Sequence, residues 1–143
     1  AVGAEVKIND IPGYLPLLDK KELDDILLAN LSEFLEEDDI KNGSSFAGSF
    51  DFGDISHLMP ALHPFFGGIK GDLHTRDFEL IDEELAYITP AKTLAMTVID
   101  LLYDEAKTAK EIVENHEPVL TKEEYIKLLD NFSQESHFQG LDK

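Results

Sequence analysis

Apolar residues recur at helical spacing in three stretches of the chain, and each stretch predicts an amphipathic helix. The predicted helices span residues 20–37, 90–115 and 122–132. The first has an apolar stripe at helical spacing, formed by Leu23, Ile26, Leu27, Leu31, Phe34 and Leu35. Because a helix buries its apolar face against its neighbours, we expect this face to lie in the core.

Residues that favour helix ends mark the start of each stretch. Asp19 precedes the first stretch as a candidate N-cap. Thr89 and Pro90 open the second stretch with a capping hydroxyl followed by a proline in the first turn. Thr121 and Glu124 have the spacing of a capping box at the start of the third. We therefore expect each helix to begin at one of these signals.

Two shorter stretches predict strands. Residues 2–9 alternate apolar and polar side chains, which predicts a half-buried strand. No partner strand for it is evident in the neighbouring sequence, which we interpret as a sign of a longer protein. Residues 59–69 are apolar and bounded by glycine, which predicts a buried strand. Pro60 and Pro64 cannot donate to a strand ladder, so they favour an edge or interrupted strand.

The remaining segments are predicted to be irregular. Asn42-Gly43 is expected to end the first helix, residues 44–58 and 70–78 to form loops, residues 82–87 to form a short helical turn, and residues 133–143 to form a flexible tail. These elements predict an α/β fold with about three helices packed on a few strands. At 143 residues, the chain is one domain or part of one.

The chain is strongly acidic. It contains 30 Asp and Glu residues against 12 Lys and Arg residues, which gives a net charge of −18. Nucleic acids and anionic membrane surfaces bind proteins through Lys and Arg, so this balance argues against both as partners. The simplest interpretation of the acidity is solubility.

The chain contains no cysteine, which excludes disulfides, thiolate ligands and a cysteine nucleophile within it. No uninterrupted apolar run approaches the roughly 18 residues of a membrane span, and the first residues lack the pattern of a signal peptide. We therefore expect a cytoplasmic protein. The first residue is Ala1 rather than methionine, which we interpret as a second sign of a longer protein.

Metal-capable side chains coincide with loop sequence between residues 48 and 78. His57, His63 and His74 lie here among several glycines and aspartates. Their spacing matches no closed zinc pattern, so the residues alone leave open whether they bind a metal together, singly or not at all. A histidine in a loop is more often structural or simply exposed than a ligand.

Four segments resemble, in order and spacing, the C-terminal part of the metal-dependent aminoacylase and carboxypeptidase family. They are GSFDFGDIS at 48–56, PALHPFF at 60–66, LHTRDF at 73–78 and PAKTLAMTVIDLL at 90–102. Within that family, the segments look most like the amidohydrolases similar to aminobenzoyl-glutamate hydrolase. The resemblance covers roughly residues 1–130.

This resemblance implies a partial catalytic domain of a co-catalytic zinc peptidase. Such enzymes bind about two zinc ions per subunit and use a metal-activated water to hydrolyse an N-acyl or peptide amide bond. Their inserted lid domain mediates dimers, so a full-length homodimer and a small N-acyl amino acid or dipeptide-like substrate are expected. By the resemblance, residues 1–16 are the end of the lid domain and residues 17–132 are the C-terminal portion of the catalytic domain.

The resemblance also assigns roles to individual residues. His74 matches the last metal ligand of the family, because it stands in a loop before a threonine and an aromatic residue. The residues expected to line the substrate site are Ser49, Asp51, Gly53 and Thr75. Phe50 departs from the small hydroxyl residue usual at its position. The other ligands and the catalytic carboxylates of the family precede the lid, so we expect no catalytic residue in this segment and no activity from it alone.

Two alternatives stand beside this interpretation. The first is a non-catalytic acidic binding or scaffold domain that retains the fold without the catalytic half. The second is a self-contained metal site formed by His57, His63 and His74. Metal analysis distinguishes them, because only the second predicts tight metal binding by the 143 residues alone.

Overall fold

The computed structural model describes residues 4–41, 43 and 48–139. Over these ranges the helices are α1 (Lys21–Leu31), α2 (Asp51–Leu58), α3 (Thr89–Glu114) and α4 (Lys122–Phe132), and the strands are β1 (Glu5–Asp10), β2 (Ile69–Lys70), β3 (Glu79–Leu80) and β4 (Gln134–Gln139). A 3-10 turn at Glu37–Asp39 follows α1, and a π-helical turn at Glu84–Ile88 leads into α3. The predicted mixture of helix and strand is therefore confirmed.

The strand at the start of the chain has its partner at the other end. β1 pairs antiparallel with β4 in a two-stranded sheet whose register runs from Glu5 opposite Gln139 to Asp10 opposite Gln134. An ion pair of 3.0 Å between Lys7 Nζ and a Glu135 carboxylate oxygen links the two strands. The partner of β1 therefore lies at the far end of the chain and not in the neighbouring sequence. The prediction of a flexible tail is wrong for residues 134–139, which form a strand, and residues 140–143 lie outside the described ranges.

The β1–β4 sheet lies on the surface. All six residues of β1 are exposed, including Val6 at 48% and Ile8 at 40% of their full accessible area. The prediction of a half-buried strand is therefore wrong for this part of the chain. A two-stranded sheet is marginally stable by itself, because it needs another layer to cover its apolar side chains.

Helices α1 and α3 form the main packed layer. Leu23, Leu27 and Leu31 are buried on one face of α1, as the apolar periodicity predicted. The same face also buries Asn30, whose amide donates hydrogen bonds to Thr97 Oγ1 at 3.3 Å and to an Asp100 carboxylate oxygen at 2.9 Å. These contacts fix the two helices against each other, because a buried amide that lost its partners would cost about 1–3 kcal/mol.

The predicted helix boundaries hold at α4 and shift elsewhere. Thr121 and Glu124 form the predicted capping box at the start of α4. By contrast, α1 has Lys20 rather than Asp19 at its N-cap position and ends at residue 31, six residues earlier than predicted. Thr89 caps nothing, because Ile88 before it already has helical backbone angles that continue from the π-helical turn.

The predicted loop at 44–58 contains a helix. Residues 44–47, like Asn42, lie outside the described ranges, and α2 occupies residues 51–58. The predicted strand at 59–69 is absent from the described structure, apart from Ile69 at the start of β2. Pro60 and Pro64 provide the physical reason, because neither has a backbone N–H to donate to a ladder.

Helix α3 is not one continuous helix. Tyr103 has an extended ψ of 153°, and Asp104, Glu105 and Ala106 have positive φ values of 50°, 57° and 59°. Left-handed backbone costs non-glycine residues about 1–2 kcal/mol each. The prediction of an unbroken helix over 90–115 is therefore wrong, and the local sequence contains no glycine or proline that would have indicated the break.

The segment Glu84–Glu114 is long and apolar enough to cross a membrane, and most of its apolar part is exposed. Length and composition alone carry little weight, because the core helix of a soluble protein passes the same test. Here one side of the segment packs on α1 through Thr97 and Asp100. The expectation of no membrane partner stays a prediction.

Candidate functional site

His74 lies in the eight-residue loop of the β2–β3 hairpin. The hairpin pairs Ile69 with Leu80 and Lys70 with Glu79, so residues 71–78 form the loop. His74 is exposed, and its backbone is left-handed with a φ of 64°. Histidine is one of the few non-glycine residues enriched at such angles. The loop therefore presents an imidazole to solvent on a backbone that few other residues would accept.

Two glycines shape the base of this hairpin. Gly68 and Gly71 have positive φ values of 88° and 85°. A Cβ atom on Gly71 would lie 2.1 Å from the Asp77 carbonyl oxygen, and one on Gly68 would lie 2.5 Å from the Asp82 carbonyl oxygen. Both positions consequently require glycine, since any side chain would push the two arms of the hairpin apart.

Thr75, next to His74, stabilises the loop. Its backbone N–H and its hydroxyl both donate to the Asp72 carbonyl oxygen, at 3.3 and 2.8 Å. The Phe78 N–H donates in turn to the Thr75 carbonyl oxygen at 3.4 Å. The hydroxyl of Thr75 is thus engaged within the loop, while its side chain remains exposed.

The other predicted site residues lie around the start of α2. Ser49 is exposed and forms an isolated antiparallel bridge with Pro16. Asp51 is exposed at the first residue of α2, where its carboxylate accepts the Phe52 N–H at 3.0 Å. Gly53 is buried, and a Cβ atom there would lie 1.9 Å from the Leu15 carbonyl oxygen. The structure therefore uses Gly53 for close packing of α2 on residues 15 and 16.

Asp54 and Tyr125 form a polar link that no sequence pattern indicated. One carboxylate oxygen of Asp54 accepts the Leu15 N–H at 2.7 Å, and the other accepts the Tyr125 hydroxyl at 2.8 Å. This hydrogen bond to Asp54 raises the pKa of Tyr125, with a further contribution from burial. Asp54 therefore joins α2, the segment before α1, and α4, which lie far apart in the sequence.

The three histidines do not form a metal site. The described residues contain no group of three or more His, Asp or Glu side chains that could hold a metal ion. The His57 ring is buried and its Nδ1 lies 2.9 Å from the Gly53 carbonyl oxygen. His63 packs against Phe50, Phe52 and Phe65 with ring-centroid distances of 4.8, 5.1 and 5.1 Å. The alternative of a self-contained three-histidine site is therefore not supported.

Two cavities lie near these residues. The smaller one, of about 490 Å³, is mainly apolar and has Asp54 and Tyr125 in its wall together with Ile11, Leu15, Leu129 and Phe132. The larger is a groove of about 1270 Å³ between α1 and residues 61–67, and His63 is part of its wall. His74 lines neither of them.

The larger groove carries more carboxylates than cations. Its walls include Asp19, Asp24, Glu33, Asp39, Asp82 and Glu84, against Lys41 and Lys92. Burial raises the pKa of Asp24, and the neighbouring charges of Asp19 and Asp25 raise it further. The electrostatic field of the groove therefore favours cations over anions.

Comparison with known proteins relates part of the chain to peptidases. It is 38% identical over 79 residues to mouse Xaa-Arg dipeptidase and 32% identical over 103 residues to human Xaa-Arg dipeptidase. The two matches cover 52% and 68% of this chain but only 18% and 23% of the two relatives, so the chain spans about a fifth of the length of the relatives it matches. No family model and no solved structure matches the chain.

The similarity supports the broad part of the predicted resemblance. Both relatives are named as dipeptidases, which agrees with the peptidase part of the resemblance. Neither relative points to the aminobenzoyl-glutamate hydrolase branch within that resemblance. The assignments of His74 and the substrate-lining residues, the zinc ions, the homodimer and the cytoplasmic location stay predictions.

Proposed function

We propose that this chain contributes part of the catalytic domain of a metal-dependent peptidase or amidohydrolase that hydrolyses a peptide or N-acyl amide bond. The observation that carries the proposal is the 32% identity over 103 residues to human Xaa-Arg dipeptidase. In this proposal, residues 17–132 belong to the C-terminal portion of the catalytic domain, and residues 1–16 are the end of a lid domain. A small dipeptide-like compound is the proposed substrate.

The role of His74 in this proposal is to supply one imidazole to a metal centre. Its exposure at the tip of a hairpin loop and its left-handed backbone support the role, because strained backbone persists where function requires it. The described residues do not form a metal site by themselves, so the remaining ligands must come from outside them. Zinc is the proposed metal, since neutral imidazole is among its preferred ligands.

The same reasoning predicts that the 143 residues alone are inactive. One histidine cannot hold a metal ion with the four ligands that zinc sites usually have. Ser49, Asp51 and Thr75 are exposed and are proposed to contact substrate, whereas Gly53 supports them by keeping α2 close to Leu15. The competing proposal is an acidic scaffold domain without catalysis, in which these residues have no common role.

Metal analysis of the protein purified from the cell that produces it tests this proposal. We expect about two zinc ions per subunit in the wild type and about one after His74→Ala, because one imidazole ligand is lost. His137→Ala is the matched control, since His137 is also exposed but lies in β4. Equal metal content in the wild type and both variants would favour the scaffold domain.

A further inference from the structure

The buried face of α3 is polar and its exposed face is apolar, which is the reverse of the usual arrangement in a soluble protein. The face toward α1 buries three threonines, Thr89 at 5%, Thr93 at 0% and Thr97 at 4% exposure. The hydroxyls of Thr93 and Thr97 donate to carbonyl oxygens one turn earlier in the helix, at 2.8 and 2.9 Å, which satisfies them without water. The inner face of this helix is thus lined by small hydroxyl side chains.

The opposite face of α3 is aliphatic and exposed. We call it the outer stripe, and it consists of Ala91, Leu94, Ala95, Val98, Ile99 and Leu102. Leu94, Val98, Ile99 and Leu102 keep 43%, 51%, 63% and 60% of their accessible area. At 1.5 Å per residue the outer stripe is about 17 Å long. Burial of one such side chain is worth about 1.5–3 kcal/mol, so a helix that exposes four of them has a large driving force for association.

Large apolar side chains are exposed outside α3 as well, among them Ile11, Phe65 and Ile81. The accessible surface of the chain is 11262 Å², whereas a compact protein of 16.0 kDa is expected to expose about 7400 Å². The excess is several times the roughly 800 Å² that each partner buries in a standard protein–protein interface. A contact the size of a domain core matches this area better than a single dimer contact.

We propose that the outer stripe is an internal packing surface of a larger peptidase domain, covered by the part of that domain that corresponds to the unaligned majority of the dipeptidase relatives. This inference rests on the proposed function. More than three quarters of the human relative lies outside its alignment with this chain, which is enough polypeptide to supply another layer. A helix that is apolar on its outer face and packed on its inner face belongs in the middle of a layered fold.

The other possible occupants fit less well. A second copy would bring together two chains of net charge −18, whose repulsion opposes association. A membrane would have to accommodate Lys92 and Asp100, which lie within the apolar part of the helix and each cost about 2.5–3.5 kcal/mol near the bilayer centre. Asp100 is also hydrogen-bonded to Asn30 of α1, which would have to enter with it.

Thiol labelling tests the inference, because the chain has no cysteine of its own. Val98→Cys reports on the outer stripe, and Leu94→Cys provides a second position there. Lys110→Cys reports on an exposed polar position beyond the break in α3. Each variant is labelled in the protein purified from the cell that produces it, and native mass spectrometry gives the mass of the labelled species. We expect labelling at residues 94 and 98 to be about 100-fold slower than at residue 110, as for sites reached only by local unfolding.

Slow labelling at residues 94 and 98 supports the inference if the labelled polypeptide is heavier than the 143-residue chain by the mass of at least one further domain. Labelling as fast as at residue 110 overturns it. Protection in a species of twice the chain's 16.0 kDa whose subunits each have a mass of 16.0 kDa after denaturation would identify a second copy instead, and protection only in the membrane fraction would identify a lipid partner. Hydrolysis of an Xaa-Arg dipeptide by the same samples separates the two proposals, because protection without activity refutes only the proposed function, whereas activity without protection refutes only this inference.

Discussion

The link between Asp54, Leu15 and Tyr125 gives the sharpest stability prediction. Asp54→Ala removes two hydrogen bonds to a carboxylate, of 2.7 and 2.8 Å, and leaves the Leu15 N–H without this acceptor in a partly buried position. Hydrogen bonds to charged groups are worth about 1.5–3 kcal/mol each. Because the link is only partly buried, we take the lower end and expect a loss of about 2–3 kcal/mol in the free energy of unfolding.

A double-mutant cycle isolates one half of this link. Tyr125→Phe should cost about 1–1.5 kcal/mol, because it removes only the phenol hydrogen bond. In the Asp54→Ala background the same change should cost almost nothing, so the coupling energy should be about 1 kcal/mol. Urea denaturation followed by circular dichroism measures all four proteins, with Asp130→Ala on the exposed surface of α4 as the control. A coupling energy near zero would refute the assignment of this hydrogen bond.

The pH dependence provides a separate check on the same contact. The hydrogen bond to Asp54 raises the pKa of Tyr125 above its ordinary value of 10.0, so the folded protein holds the phenol proton more tightly than the unfolded chain does. The resulting stabilisation is complete below pH 10.0 and is lost as the pH rises through the folded value. Ultraviolet titration should therefore show one late-ionising tyrosine in the wild type that is absent from Tyr125→Phe and ionises earlier in Asp54→Ala.

Two further changes test the local geometry. Gly53→Ala should destabilise the protein by about 1–3 kcal/mol in urea denaturation, because its Cβ would lie 1.9 Å from the Leu15 carbonyl oxygen. Gly13→Ala is the control and should be nearly neutral, because a Cβ atom at residue 13 has no atom within 4 Å. Equal effects of the two changes would contradict the packing described. Thr121→Ala should lower the helix content of α4 and cost about 1 kcal/mol as an N-cap loss. The hydrogen bonds from the Thr121 backbone and hydroxyl lower the pKa of Glu124, so the stabilisation by the Glu124 carboxylate is present above pH 4.5 and is lost as the pH falls through the folded value. A wild-type helix content that does not change over this range would argue against the capping box.

The sequence predicted best what depends on neighbouring residues. The capping box at Thr121 and Glu124 and the buried leucines of α1 both follow from side chains within one or two helical turns. The sequence could not predict that β1 pairs with β4, because these strands lie at opposite ends of the chain and only the folded backbone brings them together. The break in α3 was not predictable either, because the local sequence contains no glycine or proline.

The candidate site was predictable in part. A loop was predicted at residues 70–78, and residues 71–78 form the loop of the β2–β3 hairpin. The sequence could not show that Gly53 packs on Leu15, nor that Asp54 binds Tyr125, because these contacts join residues 38 to 71 positions apart in the chain. The proposed metal ligation by His74 would depend on groups beyond the described residues, so neither the spacing of the histidines nor the loop geometry could test it.

Hydrolysis of an Xaa-Arg dipeptide by the protein from its native cell tests the proposed peptidase function most directly. We expect measurable hydrolysis by the wild type and by His137→Ala, and a rate lower by about 100-fold or more for His74→Ala, because a metal centre that loses an imidazole ligand loses its activated water. Equal rates for His74→Ala and His137→Ala, or no hydrolysis by the wild type under conditions in which its metal ions are retained, would contradict it.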